Sequence, residues 1–262
     1  MIVHFDGPGQ RYGIQVASAS FRGSRSSNED AMGILSQGSQ GLCCTLADGA
    51  GGHGHGELAA QLTVQAVLEG FRDNPLFAPA SLASLISQAE HKVCGQQTAS
   101  VSRMHMSATV VVLCLDVQQG RALWAHWGDS RLYLFRKGRV HVCTQDHSIV
   151  QQLLHAGLYE EADPRRLPNR NVLAGAIGAE GQVPPTVRAD ALVLEPGDVF
   201  LLCSDGLWED LHETQMESLL ARSRHPDEWI QRMVEHVASL GNPHQDNLSA
   251  LTAWVQARET NE

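Results

Sequence analysis

The chain has 262 residues, 43% of them hydrophobic and 18% charged, with a formal net charge of −10. That length suits one large domain or two small ones and is enough to bury a sizeable core. The acidic balance argues against nonspecific binding to nucleic acid or to an anionic membrane, both of which need clustered Lys and Arg.

The first residues, MIVHFDGPGQ, lack a basic stretch leading into an apolar one, so they do not read as a signal peptide. No apolar run approaches the roughly 18 residues needed to span a bilayer. Six cysteines stand at 43, 44, 94, 114, 143 and 203, with no C-x-x-C pair. Reduced thiols in a cytoplasmic enzyme are the simplest reading.

In chain order, strand-like apolar runs fall at Ile14–Ala19, Leu42–Ala47, Ala108–Val117, Ala122–Trp127, Leu132–Phe135, Val140–Cys143, Val199–Cys203 and Leu248–Val255. The short connections Val117-Gln-Gln-Gly-Arg121 and Phe135-Arg-Lys-Gly-Arg139 are hairpin signals, so neighbouring strands should be antiparallel. Helical periodicity marks Gly56–Arg72, Leu82–Gln97, Ile149–Ala156, Glu213–Ala221 and Pro226–Leu240. These elements predict an α+β fold in which two packed sheets are flanked by helices. An irregular stretch from about His155 to Gln182 reads as a surface flap. No repeat or linker interrupts the chain, which favours one domain over 1–262.

Four short stretches set an acidic residue beside Gly or Asn at a strand end: Ser27–Asp30, Leu46–Gly52, Leu201–Gly206 and Gln245–Ala250. A fifth runs from Trp127 to Phe135 and contains Asp129. Carboxylates gathered at sheet ends repel one another unless a hard cation lies between them, and Mg²⁺ and Mn²⁺ prefer such oxygen ligands. Taken singly, Asp48-Gly49, Asp205-Gly206 and Asp246-Asn247 also suit ordinary turns or caps. Gly197-Asp198 and Asp6-Gly7 read as plain turns. Arg25 suits a bidentate grip on phosphate, or a salt bridge to Glu29 and Asp30. The Gly-rich bend after Asp48 lacks the lysine of a nucleotide-binding P-loop. His53 and His55 make a weak zinc pair without a third ligand nearby. Trp124, Trp127 and Trp208 read as core anchors.

In order, R-S-S-N-E-D-A (25–31), L-A-D-G-A-G-G-H-G-H-G-E (46–57), S-A-T-V-V-V (107–112), W-G-D-S-R-L-Y-L (127–134), Q-D-H-S (145–148), N-R-N-V-L (169–173), L-L-C-S-D-G-L (201–207) and D-N-L-S (246–249) span nearly the whole chain. The ordered set resembles the metal-dependent Ser/Thr protein phosphatases, the PPM or type 2C family, in its bacterial branch. The resemblance implies a central antiparallel β-sandwich flanked by pairs of antiparallel helices, a four-layer α-β-β-α arrangement with a flap at about 148–182.

It also implies hydrolysis of phosphoserine or phosphothreonine by direct attack of a metal-bridging water, with two core Mn²⁺ or Mg²⁺ ions and a weaker third. Asp48 would bridge the core pair, and Asp205 and Asp246 would complete the first ion's ligands. Glu29 and the Gly49 carbonyl would serve the second, and Asp129 with Asp205 would hold the third. Arg25 would bind the substrate phosphate, while Asp30 and Asn247 would support the ligands from behind. Expected partners are phosphorylated proteins that a Ser/Thr kinase has modified, acted on by a cytoplasmic monomer.

Three positions depart from the family pattern. Arg22 stands where a glycine is usual, with Gly23 next to it; Ala50 replaces the general-acid His of the animal enzymes; and Leu167 replaces a flap His. A water on the third ion is then the expected proton donor. Rival readings are a phosphoprotein-binding pseudophosphatase, a phosphatase for a small phosphoester, and a zinc enzyme built on His53 and His55.

Overall fold

A computed structural model describes residues 3–5, 11–38, 41–51, 55–99, 105–158, 163, 165, 167–181 and 183–257. In chain order the strands and helices are β1 (Val3–Phe5), β2 (Tyr12–Phe21), β3 (Asp30–Ser36), β4 (Leu42–Ala50), α1 (His55–Asp73), α2 (Pro79–Ala99), β5 (Ser107–Ala108), β6 (Val110–Asp116), β7 (Arg121–Trp127), β8 (Arg131–Arg136) and β9 (Arg139–Cys143). There follow α3 (Ile149–His155), β10 (Thr186–Val187), β11 (Leu192–Val193), β12 (Val199–Cys203), α4 (Asp205–Trp208), α5 (Glu213–Leu220), α6 (Pro226–Ser239) and β13 (Leu248–Ala257).

The strands make two antiparallel sheets, one ordered β1-β2-β13-β12-β8-β9 and the other β10-β7-β6-β4-β3, with β11 also on β7 and β5 on β4. Successive side chains of a strand point to opposite faces. In β4, Leu42, Cys44 and Leu46 enter the core between the sheets, while Cys43 and Ala47 face α1 and α2. In β12, Phe200 and Leu202 join the same central core, and Val199, Leu201 and Cys203 face α4, α5 and α6. Both faces of each sheet are therefore covered, which is why these strands read as unbroken apolar runs rather than alternating ones. The four-layer α-β-β-α expectation holds.

Both hairpins form as expected. β6 and β7 close with Asp116 opposite Arg121, and β8 and β9 with Arg136 opposite Arg139. Lys137 and Gly138 of the second turn both have positive φ, at 53° and 73°, as a two-residue turn matched to strand twist requires.

Two expectations need correction. The run Ala108–Val117 is not one strand: it breaks at Thr109, whose amide donates to the Asp48 carbonyl while Ala108 pairs with Gly49. An unanticipated strand, β3, forms the sheet edge at Asp30–Ser36. Its residues are all half-buried, so no alternation marked it. Gly33 lets α1 come close, since a Cβ there would meet Leu68 at 2.5 Å and Val64 at 2.9 Å.

Candidate metal centre and phosphate site

Antiparallel pairing brings the acidic motifs to one end of the sandwich. Asp30 at the start of β3 lies opposite Asp48 near the end of β4. Cys203, ending β12, pairs with Ala250 near the start of β13 and with Arg131 at the start of β8. Asp205, Asp246 and Asp129 follow or precede those positions by two to four residues, so all converge there. The result is a cleft of about 520 Å³ lined by Arg25, Glu29, Asp48, Gly49, Asp129, Asp205, Asp246 and Asn247. Every expected ligand thus reaches one cleft; Asp30 lies just behind it.

Three glycines permit the convergence. A Cβ on Gly49 would lie 2.0 Å from the Gly56 carbonyl oxygen, and one on Gly206 would lie 2.1 Å from that of Asn247. Gly23 has φ +61°, and a Cβ there would meet the Asp246 carbonyl oxygen at 2.3 Å. The glycine displaced by one position from the family pattern therefore still lets the 22–25 loop press against Gln245 and Asp246. Ser24 seals that contact, donating its amide and its hydroxyl to the Gln245 carbonyl, each at 2.9 Å.

Asn247 ties the loop down. Its Oδ1 accepts the Glu29 amide at 2.8 Å, and its Nδ2 donates to the carbonyls of Arg22 at 2.8 Å and Ser27 at 2.9 Å. Asp30 Oδ2 accepts the Ser204 hydroxyl at 2.9 Å. Arg25 Nη2 donates to Asp246 Oδ2 at 2.5 Å rather than to Glu29 or Asp30, and its side chain is 59% exposed.

The electrostatics are those of carboxylates short of positive charge. Burial, followed by repulsion from Asp205, Asp30, Asp129 and Asp246, pushes Asp48 well above the usual carboxylate range. Asp205 is raised likewise, by burial and then by Asp129 and Asp246. Burial lifts Asp129 to about 7 and Asp30 to about 6, and raises Glu29. Asp205 Oδ1 and Asp30 Oδ1 are buried without a hydrogen-bond partner. Buried oxygens normally find partners, so orphaned carboxylate oxygens around a polar cleft fit hard divalent cations. Among the described residues, no three His, Cys, Asp or Glu side chains close into a ready-made cage; the carboxylates line the cleft instead.

Other expectations divide. His53 and Asp6-Gly7 lie outside the described residues, and His55 opens α1. Asp198 is remote, at the opposite end of β12 from Asp205, but it is no plain turn residue. Its side chain is 0% exposed and accepts two hydrogen bonds from Arg136, each at 2.8 Å. Trp124 and Trp208 are buried, and Trp208 Nε1 donates to the Asp129 carbonyl at 2.9 Å.

The sequence reading gave no role to Thr109, Asn171 or Leu173, which also line the cleft. Thr109 Oγ1 accepts the Asp48 amide at 2.9 Å and lies 2.7 Å from Ser130 Oγ, so it links the ends that carry Asp48 and Asp129. A threonine at the head of the apolar run 110–115 was the available signal. Asn171 and Leu173 come from the flap, whose root is tied down where Ile149 N donates to the Val172 carbonyl.

Comparison with known proteins agrees with this geometry. The family model described as protein phosphatase 2C matches residues 19–251. The chain is 28% identical over 232 residues to a Listeria monocytogenes protein named serine/threonine phosphatase stp, covering 87% of this chain and 90% of the relative. Among solved structures, the Mycobacterium tuberculosis serine/threonine phosphatase PstP/Ppp superposes with a TM-score of 0.80 at 28% identity, over 93% of this chain and 99% of that one. The catalytic domain of PstP in complex with two manganese ions gives a TM-score of 0.77 at 27% identity, over 93% and 98%. With the family model spanning most of its length and the acidic strand ends meeting in one cleft, the chain belongs to the protein phosphatase 2C family.

Proposed function

We propose that this protein is a metal-dependent protein serine/threonine phosphatase, working as one domain on phosphorylated proteins that a Ser/Thr kinase has modified. The observation that carries the reading is the single cleft where Glu29, Asp48, Asp129, Asp205 and Asp246 face Arg25. Mn²⁺ or Mg²⁺ fits this oxygen-rich set: Asp48, Asp205 and Asp246, with Glu29 and the Gly49 carbonyl, would hold the two core ions, and Asp129 with Asp205 would hold a weaker third. When bound, such ions supply an acidified water as nucleophile and positive charge against the phosphoryl oxygens.

The chain's own residues do the rest. The ion pair between Arg25 and Asp246 is largely exposed on the arginine side, and such pairs contribute about 0–1 kcal/mol. Arg25 can therefore leave Asp246 at little cost and turn its fork of donors to the phosphoryl oxygens. Asn247 fixes the loop that carries Arg25 and Glu29, and Asp30, anchored on Ser204, backs Asp48. Ala50 lines the cleft and carries no proton to give the leaving oxygen. Ser204 is occupied by Asp30 and by the Ser249 amide, which argues against a phosphoenzyme on that hydroxyl.

No described helix is long and apolar enough to cross a membrane, and a cytoplasmic location is part of the proposal. A monomer is the accompanying expectation. The test is hydrolysis of p-nitrophenyl phosphate and of phosphothreonine peptides. Both should require Mn²⁺ or Mg²⁺ and stop on adding EDTA, with kcat/KM higher for the peptide. Full activity in a metal-stripped sample would overturn the reading, and preference for the small ester would move it to a small-molecule phosphatase.

A further inference from the structure

The histidine of the Q-D-H-S stretch (145–148) grips the turn that carries Asp129. His147 Nδ1 accepts the Gly128 amide at 3.1 Å, and the His147 amide donates to the Gly128 carbonyl at 2.9 Å. An imidazole nitrogen that accepts from a backbone N–H carries no proton, so the proton sits on Nε2. Nε2 donates to Thr186 Oγ1 at 2.9 Å. The ring lies flat on His126, with centroids 4.6 Å apart and planes within 15°. His126 is itself oriented by its Nε2, which donates to the Gln145 carbonyl at 2.8 Å.

Gly128 needs such a grip. Its φ is +110°, and a Cβ there would lie 2.6 Å from the Thr109 methyl carbon. A glycine in that region of backbone space has many alternatives open to it. On its other side His147 holds the flap, because its carbonyl accepts the Ala174 amide at 2.7 Å, next to the cleft-lining Leu173. One buried residue therefore joins the Asp129 turn to the flap root.

We propose that His147 is a positioning residue for the Asp129 ion site: its unprotonated Nδ1 fixes Gly128, and through it the direction in which Asp129 offers its carboxylate. This rests on the assignment of Asp129 to the weaker third ion. Partners standing behind metal ligands typically cost about 10–100-fold in affinity when lost.

Two substitutions separate this role from packing. In His147→Asn the amide oxygen can stand where Nδ1 stood and accept from Gly128; in His147→Gln the amide group reaches instead to the place of Nε2. The first keeps the Gly128 bond and loses Thr186, and the second does the reverse. Mn²⁺ titration calorimetry without substrate should show the weak site about 10-fold weaker in H147Q than in H147N, with the tight sites unchanged. Hydrogen exchange of the Gly128 amide should be fast in H147Q and protected in H147N and wild type.

Equal weakening of the site in both variants, or a Gly128 amide still protected in H147Q, would overturn the proposal. Asp129→Ala, titrated alongside, separates the two readings. If it leaves the weak site intact, the ion assignment fails. If it abolishes that site while H147Q does not weaken it, only the positioning role fails.

Discussion

Asp30 and Asp48 face each other as a register pair across β3 and β4, at the point where Gly49 donates its amide to the Glu29 carbonyl at 3.1 Å. Two carboxylates so placed and buried oppose folding unless a proton or a cation lies between them. The site therefore stores repulsion that metal binding relieves.

Asp48→Asn and Asp205→Asn should each lower kcat/KM by more than about 100-fold, since ligands matter at least as much as the groups behind them. Each also removes a repelled charge, so the metal-free variants should melt no lower than metal-free wild type. Their gain in Tm on adding Mn²⁺ should be smaller. Scanning calorimetry with and without Mn²⁺ checks both statements, and a full Mn²⁺ gain in Asp48→Asn would remove that residue from the ligand set.

The same repulsion sets a pH dependence for the metal-free protein. Asp30 is raised from 3.8 to about 6 and Asp129 from 3.8 to about 7, in each case first by burial. A group with a raised folded value stabilises the fold below its unfolded value and loses that contribution as pH rises through the folded one. Metal-free protein should thus lose stability between about pH 4 and pH 7, and Mn²⁺ should restore it at the upper end. A metal-free Tm that rises across this window would contradict the shifts.

Arg25→Ala and Asp129→Ala should fail differently. Loss of the Arg25 donors should weaken binding of inorganic phosphate, by about 1.5–3 kcal/mol for a charge-assisted contact, with Mn²⁺ binding retained. Asp129→Ala should instead raise the Mn²⁺ concentration needed for full rate and depress kcat, leaving phosphate affinity in Mn²⁺-saturated enzyme near wild type. Phosphate titrations at fixed Mn²⁺ distinguish the two.

Asp198→Asn should leave kcat per folded molecule unchanged, because Asp198 lies at the far end of β12 from Asp205. Stability should fall by about 1.5–3 kcal/mol, the scale of hydrogen bonds to a charged group, since Arg136 would keep Glu195 as its one carboxylate partner. Urea unfolding alongside activity at low temperature checks this. A plain turn residue would give neither effect.

The contrast between Asp198 and Asp205 shows how far the sequence by itself reaches. Apolar runs covered on both faces, Gly-bearing hairpin turns and helical periodicity were enough for a helix-flanked antiparallel sandwich, because each is a local consequence of side-chain pattern and backbone freedom. The acidic residues beside Gly or Asn at strand ends were equally legible, and their order along the chain identified the family. Four things were decided only by tertiary structure. Asp198 is buried against Arg136, Arg25 takes Asp246 rather than Glu29 or Asp30, Thr109 bridges Asp48 and Ser130, and His147 clamps Gly128. Each joins residues on separate elements, where the partner depends on sheet order and register. No periodicity within one strand encodes which other strand lies beside it.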